Sequence, residues 1–261
     1  MVQKEFAARA KKILARDKNV TGLAVGGSWL TNELDEFSDL DLILVTKEKV
    51  SNNKDSMIGF ASRLGDFISG FTGEHVGEPR VLICLYDNPL LHVDINFLTL
   101  DELVERVETP FILLDTDNQL QDAFIDSTDK FPFPDYQWIE DRFWTWIHYT
   151  LLKIGRGEYL EAFDFFGFLR MVVFGPLLHI KNGNLPRAVR KVETELTTND
   201  FTDLKGTIPK YERQSLLISL RNSVGLYRSL RESLFDGEVK FQFQAEQRVM
   251  EYFALIENGR M

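Results

Sequence analysis

The sequence predicts an α+β protein, with a small mixed sheet flanked by helices over residues 1–130 and a helical bundle over residues 131–261. Three observations predict it. Strand-like alternation recurs at Asp39 to Val45, Val81 to Tyr86 and Leu91 to Phe97. After the linker-like run Phe131-Pro132-Phe133-Pro134-Asp135 the apolar spacing turns helical and stays so. The charge divides at the same place: residues 1–130 carry 13 Lys+Arg against 23 Asp+Glu, and residues 131–261 carry 17 of each.

The elements follow in order. Phe6, Ala10, Ile13 and Leu14 recur at helical spacing, so residues 2–17 form an amphipathic helix. Thr21 to Val25 is an apolar run that ends in Gly26-Gly27, a strand entering a tight turn. In the strand from Asp39 to Val45, Asp39, Asp41 and Ile43 face one way, and Leu40, Leu42 and Leu44 the other. Met57 to Phe71 keeps a helical apolar period. Val81 to Tyr86 and Leu91 to Phe97 flank Asp87-Asn88-Pro89, a turn composition, and form a hairpin. On its second strand His92, Asp94 and Asn96 share a face. In the second half, helical stripes run through Ile139, Phe143, Trp146, Thr150 and Ile154, then Leu216, Leu220, Tyr227, Leu230 and Leu234, then Val249, Phe253 and Ile256. Glu158 to Ile180 and Pro186 to Leu196 read as helices between them. Trp138, Trp144 and Trp146 read as packing residues.

Composition narrows the function. The chain has 261 residues, 44% hydrophobic and 27% charged, which suits one large globular domain or two small ones. An acidic N-terminal half lacks the basic footprint of a nonspecific nucleic-acid binder. The single cysteine, Cys84, has no intrachain partner, so nothing points to an oxidising compartment. The first residues are charged, with no apolar signal region. The most apolar stretch, Phe165 to Ile180, is interrupted by Arg170 and Pro176 and reads as no membrane span. A cytoplasmic location, with no membrane and no nucleic-acid partner, is expected.

The informative segment is Val25-Gly26-Gly27-Ser28, ten residues, then Asp39-Leu40-Asp41-Leu42. Strand residues two apart face the same side, so Asp39 and Asp41 present two carboxylates to one point. Such a pair repels itself unless a cation lies between, and hard Mg²⁺ prefers carboxylate oxygen. Adjacent glycines let the backbone turn sharply, and backbone N–H groups after such a turn bind phosphate oxygens. Ser28 adds a hydroxyl donor. A phosphate cradle beside a carboxylate pair is what a nucleoside triphosphate with Mg²⁺ requires. The context carries the signal. Among 20 Asp, chance supplies roughly one or two Asp-x-Asp pairs; Asp115-Thr116-Asp117, with no glycine turn before it, reads as a loop.

Gly27-Ser28, ten residues, Asp39-Leu40-Asp41 resembles the signature of the DNA polymerase β-like nucleotidyltransferase superfamily, and Val93-Asp94-Ile95 resembles its third-carboxylate strand. The spelling Asp35-Glu36-Phe37-Ser38-Asp39-Leu40-Asp41 and the helical half look like the small-molecule branch, which includes aminoglycoside and lincosamide antibiotic nucleotidyltransferases. The motif match covers residues 20–97. The resemblance implies a catalytic domain at 1–130 and an acceptor-binding helical domain at 131–261. It implies that Asp39, Asp41 and Asp94 hold two Mg²⁺ ions and are the catalytic residues, that Asp94 accepts the hydroxyl proton, and that Gly27 and Ser28 hold the terminal phosphates of ATP or another nucleoside triphosphate. One departure stands out: many members carry a basic residue or another glycine after Gly-Ser, whereas this chain has Trp29-Leu30-Thr31-Asn32. That leaves room for a basic residue of the helical half. Arg187, Arg190 and Lys191 are the candidates, with Lys153 behind them, although their spacing also fits a solvated face. Glu158, Glu161 and Asp164 lie on one helix face, where related enzymes hold the acceptor partly with acids; an ordinary solvated face has the same pattern.

The expected activity is thus Mg²⁺-dependent transfer of a nucleoside monophosphate, AMP from ATP, to a hydroxyl of a small molecule such as an antibiotic, with release of pyrophosphate. Two alternatives stay open. Nucleotidyltransferase antitoxins share the Gly-Ser and Asp-x-Asp spacing and modify a helical toxin; here the Arg142 to His148 spacing resembles the toxin motif, but Phe143 replaces its polar residue. The other alternative is a catalytically inactive nucleotide-binding module, against which three clustered like charges argue.

Overall fold

The computed structural model describes residues 1–259. It divides into two compact units, Met1–Phe131 and Pro132–Met261. The first unit is built on α1 (Val2–Leu14), β1 (Val20–Val25), β2 (Leu40–Thr46), α2 (Lys54–Ala61), β3 (Asp66–Gly73), β4 (Glu78–Asp87), β5 (Leu91–Leu98), α3 (Leu100–Leu103), β6 (Phe111–Asp115) and α4 (Gln119–Ile125). The six strands form one mixed sheet in the order β3-β4-β5-β2-β1-β6. Only β2 and β5 run parallel; their register pairs Leu40 with Val93, Asp41 with Asp94 and Ile43 with Asn96.

Strand alternation decides which residues the sheet buries. Leu40, Leu42 and Leu44 of β2 and Val93, Ile95 and Phe97 of β5 enter one core with Phe6, Ala7, Ala10 and Leu14 of α1 and Met57 and Ala61 of α2. The opposite face carries Asp41 and Ile43, Asp94 and Asn96. A smaller cluster of Ala24, Val45, Leu98, Leu103 and Leu120 covers that face at the far ends of the strands. The near ends, where the carboxylates stand, are left half-exposed.

One predicted helix is different. Met57 to Phe71 is not continuous: α2 ends at Ala61, and Asp66–Gly73 is the edge strand β3, paired antiparallel with β4. The spacing of Met57, Ala61, Leu64, Ile68 and Phe71 mimics a helix, but a long-range ladder overrides local period. The predicted hairpin is present, with Tyr86 opposite Leu91.

The second unit is helical: α5 (Tyr136–Arg156), α6 (Tyr159–Leu169), α7 (Gly175–Lys181), α8 (Val192–Glu195), α9 (Thr198–Lys205), α10 (Arg213–Leu234) and α11 (Phe243–Glu257). Its core is aromatic, with Phe143 stacked on Tyr227 at 3.6 Å between ring centroids and Trp144, Phe166, Phe174 and Phe253 buried. A π-helical turn, Arg170–Phe174, joins α6 to α7, so the chain stays helical through both Arg170 and Pro176. Tyr159–Lys181 is consequently long and apolar enough to cross a membrane by length and composition, contrary to the interruption expected there; Phe166, Leu169, Val173, Phe174, Leu177 and Leu178 are buried in this unit's core. The predicted helix Pro186 to Leu196 shrinks to α8, because Ala188 and Lys191 take left-handed φ values of 51° and 58° that a helix cannot accommodate.

Candidate active site

The glycine turn and the first carboxylates are joined by the β1–β2 ladder. Val25 lies opposite Leu42, and one step further Gly26 donates its N–H to the Asp41 carbonyl at 3.0 Å. Gly27 follows with φ +62°, and a Cβ placed on it would stand 2.0 Å from Asp41 Oδ2. Only glycine satisfies both the conformation and that approach. The carboxylate of Asp41 therefore lies against the turn, and the spacing between Gly27-Ser28 and Asp39-x-Asp41 is the length of chain that leaves β1 and returns as β2. Ser28 sits in the short 3₁₀ turn Gly27–Trp29.

The returning loop is held by its own polar groups. Asp35 Oδ1 accepts from the Phe37 N–H and the Ser38 hydroxyl, each at 2.9 Å, and the Asp35 N–H donates to Ser38 Oγ at 3.0 Å. The Ser38 hydroxyl and the Phe37 N–H hold the Asp35 carboxyl below the usual carboxylate range. Buried Gln3 of α1 donates through Nε2 to the carbonyls of Asp35 and Ser38, at 2.9 and 2.7 Å. Asp35-Glu36-Phe37-Ser38 is thus a pinned turn that delivers Asp39 to the start of β2.

Asp94 reaches the same place from β5, as the direct neighbour of Asp41 across a parallel pair. Its carboxyl is pushed up by burial, pulled down by His92, whose Nε2 lies 2.8 Å from Asp94 Oδ1, and pushed up again by the charge of Asp39. Asp39 is thus near enough for its charge to act on Asp94. Asn96, two residues on, has a buried Oδ1 with no hydrogen-bond partner. A buried acceptor left unsatisfied calls for a ligand or an ion.

The donor chemistry fits a hard divalent cation, since carboxylate and amide oxygens are what Mg²⁺ takes. The side chains are not drawn around one point: among the described residues no three His, Cys, Asp or Glu stand close enough to hold a metal ion together. They stand instead as contacts, with Asp94 against His92 and Asp41 against the Gly27 turn.

Two residues here carry no role in the sequence analysis. His92, which shares a strand face with Asp94, orients it. Glu108, in the loop before β6, accepts the Gly27 N–H through Oε1 at 2.8 Å. Its position follows from pairing: Val25 lies opposite Phe111, so the residues preceding Phe111 run past Gly26 and Gly27. No local motif marks it; only the β1–β6 register does.

The candidates of the helical half lie in the second unit. Lys153 Nζ sits 2.8 Å from Glu158 and 2.9 Å from Glu161, and the Tyr149 hydroxyl also donates to Glu161. Hydrogen bonds to Glu158 and Glu161 push the Lys153 ammonium well above its ordinary range, and those from Tyr149 and Lys153 push Glu161 down. Asp164 is exposed. Arg187, Arg190 and Lys191 lie in the irregular segment before α8, where the Arg190 carbonyl meets His179 Nε2 at 2.9 Å.

Residues 7–113 match the family model described as a nucleotidyltransferase domain. No functionally curated protein matches. Among solved structures, an aminoglycoside 6-adenyltransferase from Bacillus subtilis is 16% identical, with 98% of each chain covered and a TM-score of 0.41. A nucleotidyltransferase-like protein from Exiguobacterium sibiricum 255-15 is 13% identical over 88% of this chain and 75% of the other, with a TM-score of 0.35. Residues 7–113 contain Gly27, Ser28, Asp39, Asp41 and Asp94, so the glycine turn and the three carboxylates lie inside the segment that matches a nucleotidyltransferase domain.

Proposed function

We propose that this nucleotidyltransferase moves a nucleoside monophosphate, AMP from ATP, onto a hydroxyl of a small molecule and releases pyrophosphate. The observation that carries the reading is the contact of Asp41 with the Gly27 turn inside the matched domain, with Asp94 as its strand neighbour. Asp39, Asp41 and Asp94 would hold Mg²⁺, which when bound neutralises charge on the triphosphate and on the attacking and leaving oxygens. The chain's own groups do the rest. The Gly27 N–H and the Ser28 hydroxyl bind phosphate oxygens, and the pinned turn at Asp35 keeps the carboxylates in place. Asp94 takes the acceptor's proton, a role for which a carboxyl pushed upward by burial is suited. The acidic N-terminal half supports a small acceptor over a polyanionic nucleic acid, and the loop spelling that resembles antibiotic nucleotidyltransferases supports an aminoglycoside-like or lincosamide-like acceptor. Glu158 and Glu161 are the helical-half groups suited to a cationic one.

The test supplies ATP, Mg²⁺ and a panel of hydroxyl-bearing small molecules, antibiotics included, and follows pyrophosphate release and a nucleotide adduct by mass spectrometry. A label that appears on protein instead would move the acceptor to the antitoxin-like alternative. Absence of any Mg²⁺–nucleotide binding by calorimetry would overturn this reading and the inactive nucleotide-binding alternative alike.

A further inference from the structure

Glu108 stands where the reading above places the triphosphate. Its Oε1 takes the Gly27 N–H at 2.8 Å, and a Cβ on Gly26 would meet the same oxygen at 2.9 Å. The carboxylate thus lies directly on the two glycines. A backbone N–H aimed at one acceptor is not free for another, and a carboxylate at van der Waals range repels a phosphate oxygen approaching the same group.

The contact is built, not incidental. Both sequence neighbours of Val107 and Glu108 are anchored: Arg106 donates to the Ser127 carbonyl at 2.9 Å and to Thr109 Oγ1 at 3.2 Å, and Thr109 Oγ1 donates to Asp129 at 2.9 Å. Lys130 donates its N–H to the Arg106 carbonyl at 2.9 Å. The β1–β6 pairing holds the other end. The backbone is thus anchored on both sides of Glu108.

We propose that Glu108 is an autoinhibitory residue: its carboxylate occupies the phosphate position on the Gly27 amide and must swing away before a nucleoside triphosphate binds. The inference rests on the reading that the Gly27 amide meets a phosphate oxygen. It makes apparent nucleotide affinity the intrinsic affinity reduced by the fraction of molecules in which Glu108 is already displaced.

The test is calorimetric titration of the full chain and of Glu108→Ala and Glu108→Gln with ATP in Mg²⁺ and, separately, with inorganic tripolyphosphate. Glu108→Ala should tighten both by roughly tenfold, the effect of removing a charged acceptor that competes with phosphate for the Gly27 N–H. Glu108→Gln keeps the shape and an accepting oxygen but no charge, so it should tighten both by a smaller factor and guards against a fold defect in the alanine variant. Equal or weaker binding by both variants, with wild type still binding MgATP, overturns the competitor role and leaves the nucleotidyltransferase reading intact. If wild type and both variants all fail to bind any nucleotide, the phosphate reading of Gly27 falls and this inference with it.

Discussion

The core of the helical unit and one face of the sheet unit treat their acids in opposite ways. In the helical unit the acids meet cations. Buried Glu140 receives Tyr227, the Gln242 N–H at 2.9 Å and Arg231 at 3.4 Å, Glu246 receives Arg231 at 2.9 Å, and Asp200 receives Lys181 at 2.6 Å. On one face of the sheet unit acids stand near one another, the charge of Asp39 acting on Asp94 and Asp41 lying beside Asp94 in register, with His92 in contact with Asp94. Matched acids hold a fold together, whereas gathered like charges cost stability and are kept for a ligand that neutralises them. Removing a carboxylate should therefore separate the two units by sign: loss of function with stability kept in one, loss of stability in the other.

The largest effect is expected at the gathered acids. Asp41→Asn should lower nucleotide transfer by about a thousandfold or more, a loss of roughly 4 kcal/mol of transition-state stabilisation. Asp94→Asn should raise the melting temperature, because burial and the charge of Asp39 push that carboxyl upward and the neutral amide escapes both. A melting temperature that falls sharply in the Asp94 variant would break the comparison. Gly27→Ala tests the same site from the backbone. A Cβ 2.0 Å from Asp41 Oδ2 at φ +62° forces the carboxylate away, so activity should fall with the fold largely preserved, at a cost of about 1–2 kcal/mol.

The largest stability effect belongs to Glu140. Glu140→Ala leaves the Tyr227 hydroxyl and the Gln242 N–H without their acceptor and removes the longer of the Arg231 ion pairs, and should destabilise by about 3 kcal/mol, read by urea unfolding. Glu140→Gln, which keeps an acceptor, should recover part of that.

How far the sequence foretold this depends on whether a signal is local. The β1 turn, β2 and the β4–β5 hairpin are legible because glycines, turn residues and strict alternation lie within a few residues of one another. The same alternation put Asp94 and Asn96 on one face. The edge strand β3 is not legible: half-exposed on both faces, it shows no alternation, and Gly65 and Gly70 do not outweigh its accidental helical period. Glu108 is not legible at all, since its meaning arises from pairing between strands 86 residues apart in sequence, Val25 with Phe111. His92 was visible on the right face, but nothing local separates an orienting histidine from a solvated one.

A pH effect sharpens the comparison at smaller magnitude. Asp200 lies in the first turn of α9, which Thr197 caps, and burial alone would raise its carboxyl; hydrogen bonds from Lys181, Asn182 and Thr197 outweigh burial and depress it. A depressed carboxyl contributes stability that is present above its unfolded value, about 3.9, and is lost as pH falls through the folded value. Asp200→Asn should thus cost about 1–2 kcal/mol at neutral pH, and the difference from wild type should shrink below about pH 4. A difference that is constant from pH 7 to pH 3 would mean the side chain matters by shape alone.

The smallest effect is expected at Lys153, and it separates two uses of a matched acid. Lys153 bridges Glu158 and Glu161 at the surface, where solvent and salt screen ion pairs. Lys153→Ala should shift the melting temperature by no more than about 2 °C. If the clamp is only a surface bridge, turnover of any acceptor is unchanged as well. If Glu158 and Glu161 hold a cationic acceptor, removing the competing ammonium frees both carboxylates, and KM for that acceptor should fall while kcat holds. The kinetic parameters of the Lys153→Ala variant against a cationic and an uncharged acceptor decide between them, because only the cationic one should respond.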